Sequence, residues 1–383
     1  MKKYKWQIIG GSAVALVLII VITLAAKRIN RNKRTYLNFD VVGDTYTFGE
    51  NSEVNYLPAA KGVFRYTRDG ARIVDKKGNT VASFSYTMNK PSGDTCGNAA
   101  AVGEIGGRSL VIMPSVDNAG SVTTVTTPYP IVKIQVASQG VTAVWMNDGA
   151  QDYIHLYDAD GKLIVEMSTT VSLSGFPVDI ALSNDGSKLV TAYVNYEKDA
   201  FQTQLTFYNF GIVGGNYKDK LVDLQVFKDE MVADVEFMNN DTVVAFAEDG
   251  FFVYDMPEIP VLKKDLRTEE TIRSVAFSNQ YIGQIVEGGE GKSNFIVRIY
   301  DTSGKLVDEK QINEWYTGFC LDGGDSILFN DSEIYIYRIG GRDKIKMEIK
   351  KSLKYVALMK EPNEYIFVGD TYLERIRLVG EKK

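Results

Sequence analysis

The sequence has few of the side chains that most often perform chemistry. Its 383 residues include one histidine, two cysteines and three tryptophans. A Ser-His-Asp site would have to use His155, which lies mid-strand in "YIHLYD" and is therefore expected to be structural. Cys96 and Cys320 are 224 residues apart and lack zinc-ligand spacing. They are expected to be buried free thiols, which excludes a disulfide framework and a cysteine metal site.

Acidic residues are absent from the start of the chain and in excess after it. Residues 1–34 hold eight Lys or Arg and no acid, so residues 35–383 hold 35 basic and 49 acidic residues, a net charge of −14. This body repels phosphate, which disfavours nucleic acid and anionic cell-wall polymers as partners. With nine prolines and 45% hydrophobic residues, the chain is expected to fold around a large core.

One long uncharged run is present, "WQIIGGSAVALVLIIVITLAA", residues 6–26. As a helix it would extend roughly 31 Å, enough to cross a bilayer. The apolar region of a cleaved signal peptide is shorter, and a buried soluble helix would hardly have charge clusters at both ends. A retained signal anchor is therefore predicted, between a basic amino terminus (1–5) and a basic juxtamembrane linker (27–37).

Charge alone does not decide the direction of this anchor, because basic residues flank both of its ends. A short basic start followed by one apolar segment is typical of an export signal. We therefore expect a single-pass protein of the cell membrane, with its amino terminus inside the cell and its body outside.

After the anchor, short strands and tight turns recur. Residues 180–194, "IALSNDGSKLVTAYV", alternate apolar residues on either side of Asn-Asp-Gly, which predicts an antiparallel hairpin. An aromatic residue, usually followed by Asp or Asn, closes a strand again and again. The tyrosines of these strand ends are Tyr157, Tyr208, Tyr254, Tyr300 and Tyr337.

The full repeat reads as four antiparallel strands, the pattern of a β-propeller blade. The last repeat has three strands, and the lone strand predicted at 38–48 is expected to close the ring by completing it. We predict an all-β propeller of seven to eight four-stranded blades over 38–380, with eight favoured, or seven if 98–130 is not a full blade. The predicted repeats start near residues 54, 98, 132, 176, 231, 272, 316 and 354.

These motifs resemble known propeller families. The turn in "ALSNDGSKLV" resembles that of TolB-type and WD40-like blades, and the "YD" strand ends are similar to the Trp-Asp of WD repeats. With "GFPVDIALSNDGSKLVTAYV" and "YNFGIVGGNYKDKLV", nearly the whole chain resembles an uncharacterised clostridial family of single-pass, membrane-anchored propellers, a domain of unknown function. The resemblance implies a scaffold and carries no activity with it.

No motif of the sequence predicts a catalytic, metal or cofactor site. "GGEGKS" at 288–293 lacks the first glycine of a phosphate-binding loop and precedes a strand, so a hairpin loop is predicted. Asp158 and Asp160 lack the glutamate of an EF-hand loop. The carboxylate pairs Asp322 with Asp325 and Glu248 with Asp249 are expected by chance among 49 acids. Three tryptophans are too few for the Trp-rich blades of a quinoprotein.

One repeat is longer than the others, because it inserts "NYEKDAFQ" and "GIVGGNYKDK" around one strand. Binding usually occurs on loops of a rigid scaffold, and aromatic residues are enriched at interfaces. We therefore expect a non-catalytic platform in the cell envelope that binds a protein or an envelope partner. The alternative is an envelope enzyme that acts on a saccharide or peptide in the central channel. The candidate partner-binding residues are Tyr196, Phe201, Phe210 and Tyr217.

Overall fold

In the computed structural model, the described residues form eight antiparallel sheets, so the predicted all-β propeller with eight blades is confirmed. Within them, no helix is long and apolar enough to cross a membrane. The predicted anchor at 6–26 lies outside the described residues, as does most of the linker. The structure describes residues 34–47, 54–60, 62–75, 79–115, 122–170, 175–197, 200–289, 294–359, 361 and 363–381.

Each of the first seven blades is made of four consecutive strands. Blade 1 has β3 (Asn55–Ala59), β4 (Gly62–Thr67), β5 (Gly70–Asp75) and β6 (Thr80–Ser85). Blade 2 has β7 (Pro91–Cys96), β8 (Ala99–Glu104), β9 (Ser109–Met113) and β10 (Thr123–Thr126). Blade 3 has β11 (Ile131–Val136), β12 (Thr142–Asn147), β13 (Gln151–Tyr157) and β14 (Leu163–Thr170). Blade 4 has β15 (Phe176–Leu182), β16 (Lys188–Glu197), β17 (Ala200–Asn209) and β18 (Leu221–Lys228).

The second half of the ring repeats this order. Blade 5 has β19 (Val232–Phe237), β20 (Thr242–Ala247), β21 (Gly250–Asp255) and β22 (Val261–Arg267). Blade 6 has β23 (Ile272–Phe277), β24 (Tyr281–Glu287), β25 (Phe295–Asp301) and β26 (Leu306–Ile312). Blade 7 has β27 (Gly318–Asp322), β28 (Asp325–Phe329), β29 (Glu333–Arg338) and β30 (Asp343–Glu348). Blade 8 begins with β31 (Tyr355–Leu358), β32 (Glu364–Val368) and β33 (Tyr372–Glu381).

The two ends of the chain share blade 8. Its outer strand is β1 (Tyr36–Val41), which pairs antiparallel with β33 from Tyr36 opposite Glu381 to Val41 opposite Ile376. The short strand β2 (Tyr46–Thr47) pairs with the beginning of β33. Blade 8 thus contains strands from residues more than 300 positions apart in the sequence, so this pairing joins the beginning of the ring to its end.

The core lies between neighbouring blades. The second strands of the blades are almost wholly buried, as in "TVVAFA" of β20 and "DSILF" of β28, because both faces of each sheet pack against another blade. Between blades 4 and 5, for example, Val190 and Phe207 pack with Val235 and Phe252. Apolar residues on both sides of a strand are therefore required, and these strands read as short continuous apolar runs.

The ring has two faces that are defined by the direction of its strands. The chain reaches β1 at the face that carries the turns between first and second and between third and fourth strands. There the hydroxyl of Thr35 donates to the carbonyl of Asp343 at 2.8 Å, and Arg338 donates to the carbonyl of Arg34 at 2.9 Å. We call this the tether face and the opposite one the distal face.

The second blade begins earlier in the chain than the sequence predicted. Its first strand, β7, is Pro91–Cys96, whereas the sequence placed the start of this repeat near residue 98. The strand "PSGDTC" has no apolar alternation, because it lines the centre of the ring and packs closely on blade 1. A Cβ on Gly93 would lie 2.7 Å from the ring of Tyr66. Small and polar residues are thus required in β7, whereas the prediction relied on alternating apolar residues to recognise a strand.

Candidate functional site

Charged side chains meet on the inner strands of four consecutive blades. First strands surround the central channel of a propeller, and here β7 contacts β11, β11 contacts β15, and β15 contacts β19. The group consists of four carboxyl groups and one amine, which we call the channel cluster. Its members are Asp94 of blade 2, Lys133 of blade 3, Asp179 of blade 4, and Asp234 and Glu236 of blade 5.

Two carboxylates of the channel cluster bind the backbone of the next blade. Asp94 accepts the N–H of Val136 at 2.6 Å, and Asp179 accepts the N–H of Val235 at 3.0 Å. Asp179 also accepts a charge-assisted hydrogen bond from the amine of Lys133. These contacts join blades 2 to 3, 3 to 4 and 4 to 5, so part of the cluster holds the inner ring together.

Three carboxyl groups of the channel cluster, Asp94, Asp234 and Glu236, have raised pKa values and stay protonated to higher pH than usual. Burial, followed by the hydrogen bond and charge of Asp179, raises the pKa of Asp234 to about 7. Burial raises the pKa of Asp94 to about 6, and burial and then repulsion by Asp234 raise the pKa of Glu236 well above its usual value. Burial acts to lower the pKa of Lys133, but its acidic neighbours outweigh this effect and raise it. Carboxyl groups that titrate near neutral pH are suited to acid–base chemistry, although they also occur in structural networks.

The raised pKa of Asp234 predicts a pH-dependent stability. Between about pH 4 and pH 7 the folded chain binds a proton there that the unfolded chain has released, so stability falls as pH rises through this window. Asp234→Asn removes this dependence. The wild type should lose stability from pH 4.5 to pH 8 and the variant should not. The difference in unfolding free energy between them should therefore grow in favour of the variant by a few kcal/mol, because each pKa unit is worth about 1.4 kcal/mol. Urea unfolding at both pH values measures this difference.

Asp148→Asn is the control with the opposite sign. The carboxylate of Asp148 accepts the N–H groups of Gln151 and Ala150, and these hydrogen bonds lower its pKa. The stability that this carboxylate contributes is lost as pH falls. The variant should therefore be less stable than wild type at pH 8, and the two should be similar in stability at low pH. A parallel pH response of the two variants would contradict the account of the channel cluster.

Other groups considered from the sequence have structural roles. Asp325 is buried and accepts hydrogen bonds from Lys344 and from the hydroxyl of Tyr365. His155 is buried in blade 3 beside the hydroxyl of Tyr157, and burial lowers its pKa.

The aspartates of the β13–β14 turn and the two cysteines have ordinary structural surroundings. Asp158 accepts two backbone N–H groups of its own turn, from Asp160 and Lys162. Cys96 and Cys320 are free and partly buried. Residues 290–293 of "GGEGKS" lie outside the described residues, and β25 follows them. Across the described part of the chain, no three His, Cys, Asp or Glu side chains are placed to hold a metal ion.

Two of the candidate partner-binding residues lie together on the distal face. Tyr196 and Phe201 are directly opposite each other near the end of the β16–β17 hairpin, so their side chains share one side of the sheet. Phe176 is opposite Val194 and therefore lies on the same side. Tyr196 is 69% exposed and Phe176 is 63% exposed. These aromatic residues form a patch that the sequence indicated only in part, since Phe176 precedes the inserted loops.

The other two candidates lie on the tether face. Phe210 and Tyr217 belong to the β17–β18 connection, and the N–H of Phe210 donates to the carbonyl of Ser187 in a turn of that face. Phe210 is partly buried in the core of blades 3 and 4, whereas Tyr217 is 39% exposed. The ten residues of β17 separate the two pairs by roughly 30 Å. The structure thus divides the four candidates into two surfaces.

A cavity of about 510 Å³ opens on the distal face between blades 7 and 8. Its walls are mostly apolar, with Phe39, Leu353 and Phe367 among them, and the ion pair of Lys351 with Glu374 lies at its edge. Apolar pockets with a few polar groups are the usual form of a binding site. This one is of a size to receive one or two apolar side chains of a partner.

Comparison with known proteins supports the fold. The structure is similar to BamB from Moraxella catarrhalis, with a TM-score of 0.56 and 12% identity over 89% of this chain and all of that one. It is also similar to Sqt1 from Saccharomyces cerevisiae, with a TM-score of 0.51 and 12% identity over 91% of this chain and all of that one. A eukaryotic initiation factor matches with a TM-score of 0.56 and 12% identity, over 92% of this chain and 89% of the other.

These similarities establish a propeller and no activity. No curated protein matches the sequence significantly. One family model does match, and it spans residues 32–378, nearly the whole chain beyond the predicted anchor. The chain therefore belongs to the family of unknown function DUF5711.

Proposed function

We propose that this protein is a membrane-tethered propeller that binds a protein partner on its distal face, outside the cytoplasm. The uncharged segment 6–26 is long enough to cross a bilayer. The chain reaches the ring at the tether face, through Arg34 and Thr35. In this proposal, the short segment between the bilayer and Arg34 keeps the tether face toward the membrane, so that the distal face is accessible to a partner.

The observation that carries this proposal is the long hairpin of blade 4. Strands β16 and β17 have ten residues each, whereas β12 and β20 have six. At about 3.3 Å per residue, the four additional residues extend the hairpin roughly 13 Å farther on the distal face. The exposed side chain of Tyr196 lies on this hairpin, and that of Phe176 lies beside it at the start of β15. Folding gives no reason to keep large apolar groups in water, and such groups are typical interface anchors.

Charge on the distal face favours a partner with a basic surface. In the described connections of this face, acidic residues outnumber basic ones two to one. Opposite charges at an interface speed association and select the partner. The acidic residues are Asp44, Asp69, Asp148, Asp229, Glu230, Glu248, Asp249, Glu269, Glu270, Glu314, Asp331 and Asp370, and the basic residues are Arg68, Lys90, Arg108, Lys350, Lys351 and Lys354.

Shortening the hairpin tests the proposal. Residues 196–202 are replaced by a tight turn that contains glycine, which removes Tyr196 and Phe201. The ring should remain folded, because closure entropy depends only weakly on loop length, about 0.6 kcal/mol per doubling. Since a few aromatic residues often dominate binding, most of the protein adducts formed by crosslinking in cells should be lost.

A matched control is available on the same face. Residues 288–294 join the second and third strands of blade 6. They correspond to the tip of the β16–β17 hairpin in blade 4, which joins the same two strands of that blade. Shortening this connection should leave the adducts unchanged. If both shortened chains fold, reach the membrane and keep their adducts, the partner does not bind the hairpin.

The channel cluster favours a second candidate function, an envelope enzyme that acts on a saccharide or peptide in the channel. Asp234 and Glu236 are the groups that would transfer protons, because their raised pKa values keep them protonated near neutral pH. Paired Asp234→Asn and Glu236→Gln substitutions should then abolish turnover of cell-wall fragments while leaving the crosslinked adducts intact. If the wild-type protein turns over no such fragment, and the paired substitutions instead remove the adducts, the enzyme hypothesis is contradicted.

A further inference from the structure

The long β17–β18 connection of blade 4, residues 210–220, holds an apolar side chain in water on the tether face. We call it the blade-4 loop. Ile212 is 94% exposed, and Tyr217 on the same loop is 39% exposed. Lys218 and Lys220 follow, with Asp219 between them. An isoleucine that is almost wholly exposed adds little to the stability of the fold, and exposed apolar groups of this kind are typical of a surface that contacts a partner or a membrane.

The blade-4 loop is held in place by its own contacts. The side chain of Asn209 accepts the N–H of Gly211 at 2.8 Å and donates to the carbonyl of Glu258 in blade 5 at 2.9 Å. Two 3-10 turns, Gly214–Asn216 and Lys218–Lys220, shape its second half. Gly214 lies directly against the end of β17, since a Cβ on Gly214 would be 1.6 Å from the carbonyl oxygen of Asn209. The exposed isoleucine is therefore presented by a defined structure.

Neighbouring blades extend this apolar edge. Outer strands run from the tether face to the distal face, so the first residues of β14 and β22 lie beside the tether face. Leu163 and Ile164 begin β14 of blade 3, and Val261 and Leu262 begin β22 of blade 5. All four are at least 40% exposed. Together with the blade-4 loop they form an apolar edge along three consecutive blades.

We propose that this apolar edge is a second membrane contact, in which the blade-4 loop lies in the lipid interface and holds the tether face flat on the bilayer. The inference rests on the membrane tether proposed above. In a ring of eight blades, blade 4 is opposite blade 8, where the chain arrives from residues 1–33. One tether would let the ring tilt, whereas a contact on the opposite side fixes its direction.

The chemistry of the loop suits a lipid surface. Apolar and tyrosine side chains partition into the interface, and lysines bind anionic headgroups. Asp219 and Glu258 offset part of the basic charge, so insertion of Ile212 carries the contact. A partner protein would also bury this edge, but the 33 residues that precede Arg34 contain the uncharged span and bring the bilayer to this face.

The experiment measures lipid contact of the loop in the full chain, reconstituted into vesicles of phosphatidylcholine and phosphatidylglycerol. An environment-sensitive fluorophore is attached at Tyr217→Cys. Burial raises the pKa of Cys96 to about 11 and of Cys320 to about 12, so labelling favours the introduced thiol. We expect emission that is blue-shifted and quenched by nitroxide-bearing lipids. Adding Ile212→Glu should remove at least half of the quenching without changing the melting temperature.

Two controls separate the possible failures. A label at Ser332→Cys on the distal face should remain unquenched. Release of the protein by alkaline carbonate would show that the tether itself is wrong, whereas a retained protein with an unquenched label at position 217 would overturn only the second contact. A blue shift that nitroxide lipids do not quench would place the blade-4 loop against a second copy of this chain, and it would overturn the proposal equally.

Discussion

A chain that begins at Glu50 should be much less stable than one that begins at Arg34. It lacks β1 and β2, which pair with β33 and complete blade 8. Tyr36 is buried, and Phe39 packs edge-on against Phe367 with ring centres 5.4 Å apart. Losing two such aromatic side chains costs roughly 4 kcal/mol. The open edge of β33 would in addition leave its backbone groups unpaired in the sheet.

Thermal unfolding of the two chains measures this effect. A loss of this size lowers the melting temperature on the order of 10 °C. Leu37→Ser is the matched control within the same strand, because Leu37 is largely exposed and its replacement should change little. Equal melting temperatures for the chains that begin at Arg34 and Glu50 would show that closure by β1 adds no stability to the ring.

Replacing Lys344 by methionine should destabilise the ring by about 3–5 kcal/mol. Lys344 and Asp325 are 3% and 4% exposed in their side chains and form an ion pair inside blade 7. The amine also donates to the hydroxyl of Tyr365 in blade 8 at 2.9 Å. Removing the lysine leaves a buried carboxylate without its cation, which is the costly way to break such a pair.

A second substitution tests this explanation. Asp325→Leu in addition to Lys344→Met removes both charges and should recover most of the lost stability. Lys346→Met is the matched control two residues along β30, where the lysine is half-exposed and lies 3.6 Å from Glu333. Its loss should cost less than about 1 kcal/mol. Similar effects of the two lysine variants in urea unfolding would contradict the role given to the buried pair.

Local patterns in the sequence were sufficient to predict the repeated blades. Turn residues such as Asn184, Asp185 and Gly186 lie between strands of alternating or continuous apolar residues, and each blade repeats this arrangement. Gly186 has a φ of +69° in the predicted turn. The start of blade 2 was missed because β7 is lined with small and polar residues. Its partner is the ring of Tyr66, a contact that no local pattern contains.

The channel cluster was not predicted, although the sequence places charged residues within strands that are otherwise mostly apolar. Lys133, Asp179 and Asp234 each interrupt an otherwise apolar first strand, and Glu236 follows Asp234 at a spacing of two. Which of the 49 acids meet depends on how separate blades are arranged around the ring, and strand spacing cannot give this. The same limit applies to the aromatic loop residues, because their division between two faces follows from the direction of β17.

The most direct test of the central claim is photo-crosslinking in cells from the two faces of the ring. A photoreactive amino acid replaces Tyr196 on the distal face or Ser303 in the β25–β26 turn of the tether face. Both positions are exposed in the described structure, so the fold should be unaffected. We predict a discrete protein adduct from position 196 and none from position 303. A protein adduct from position 303, with none from position 196, would contradict a partner-binding distal face.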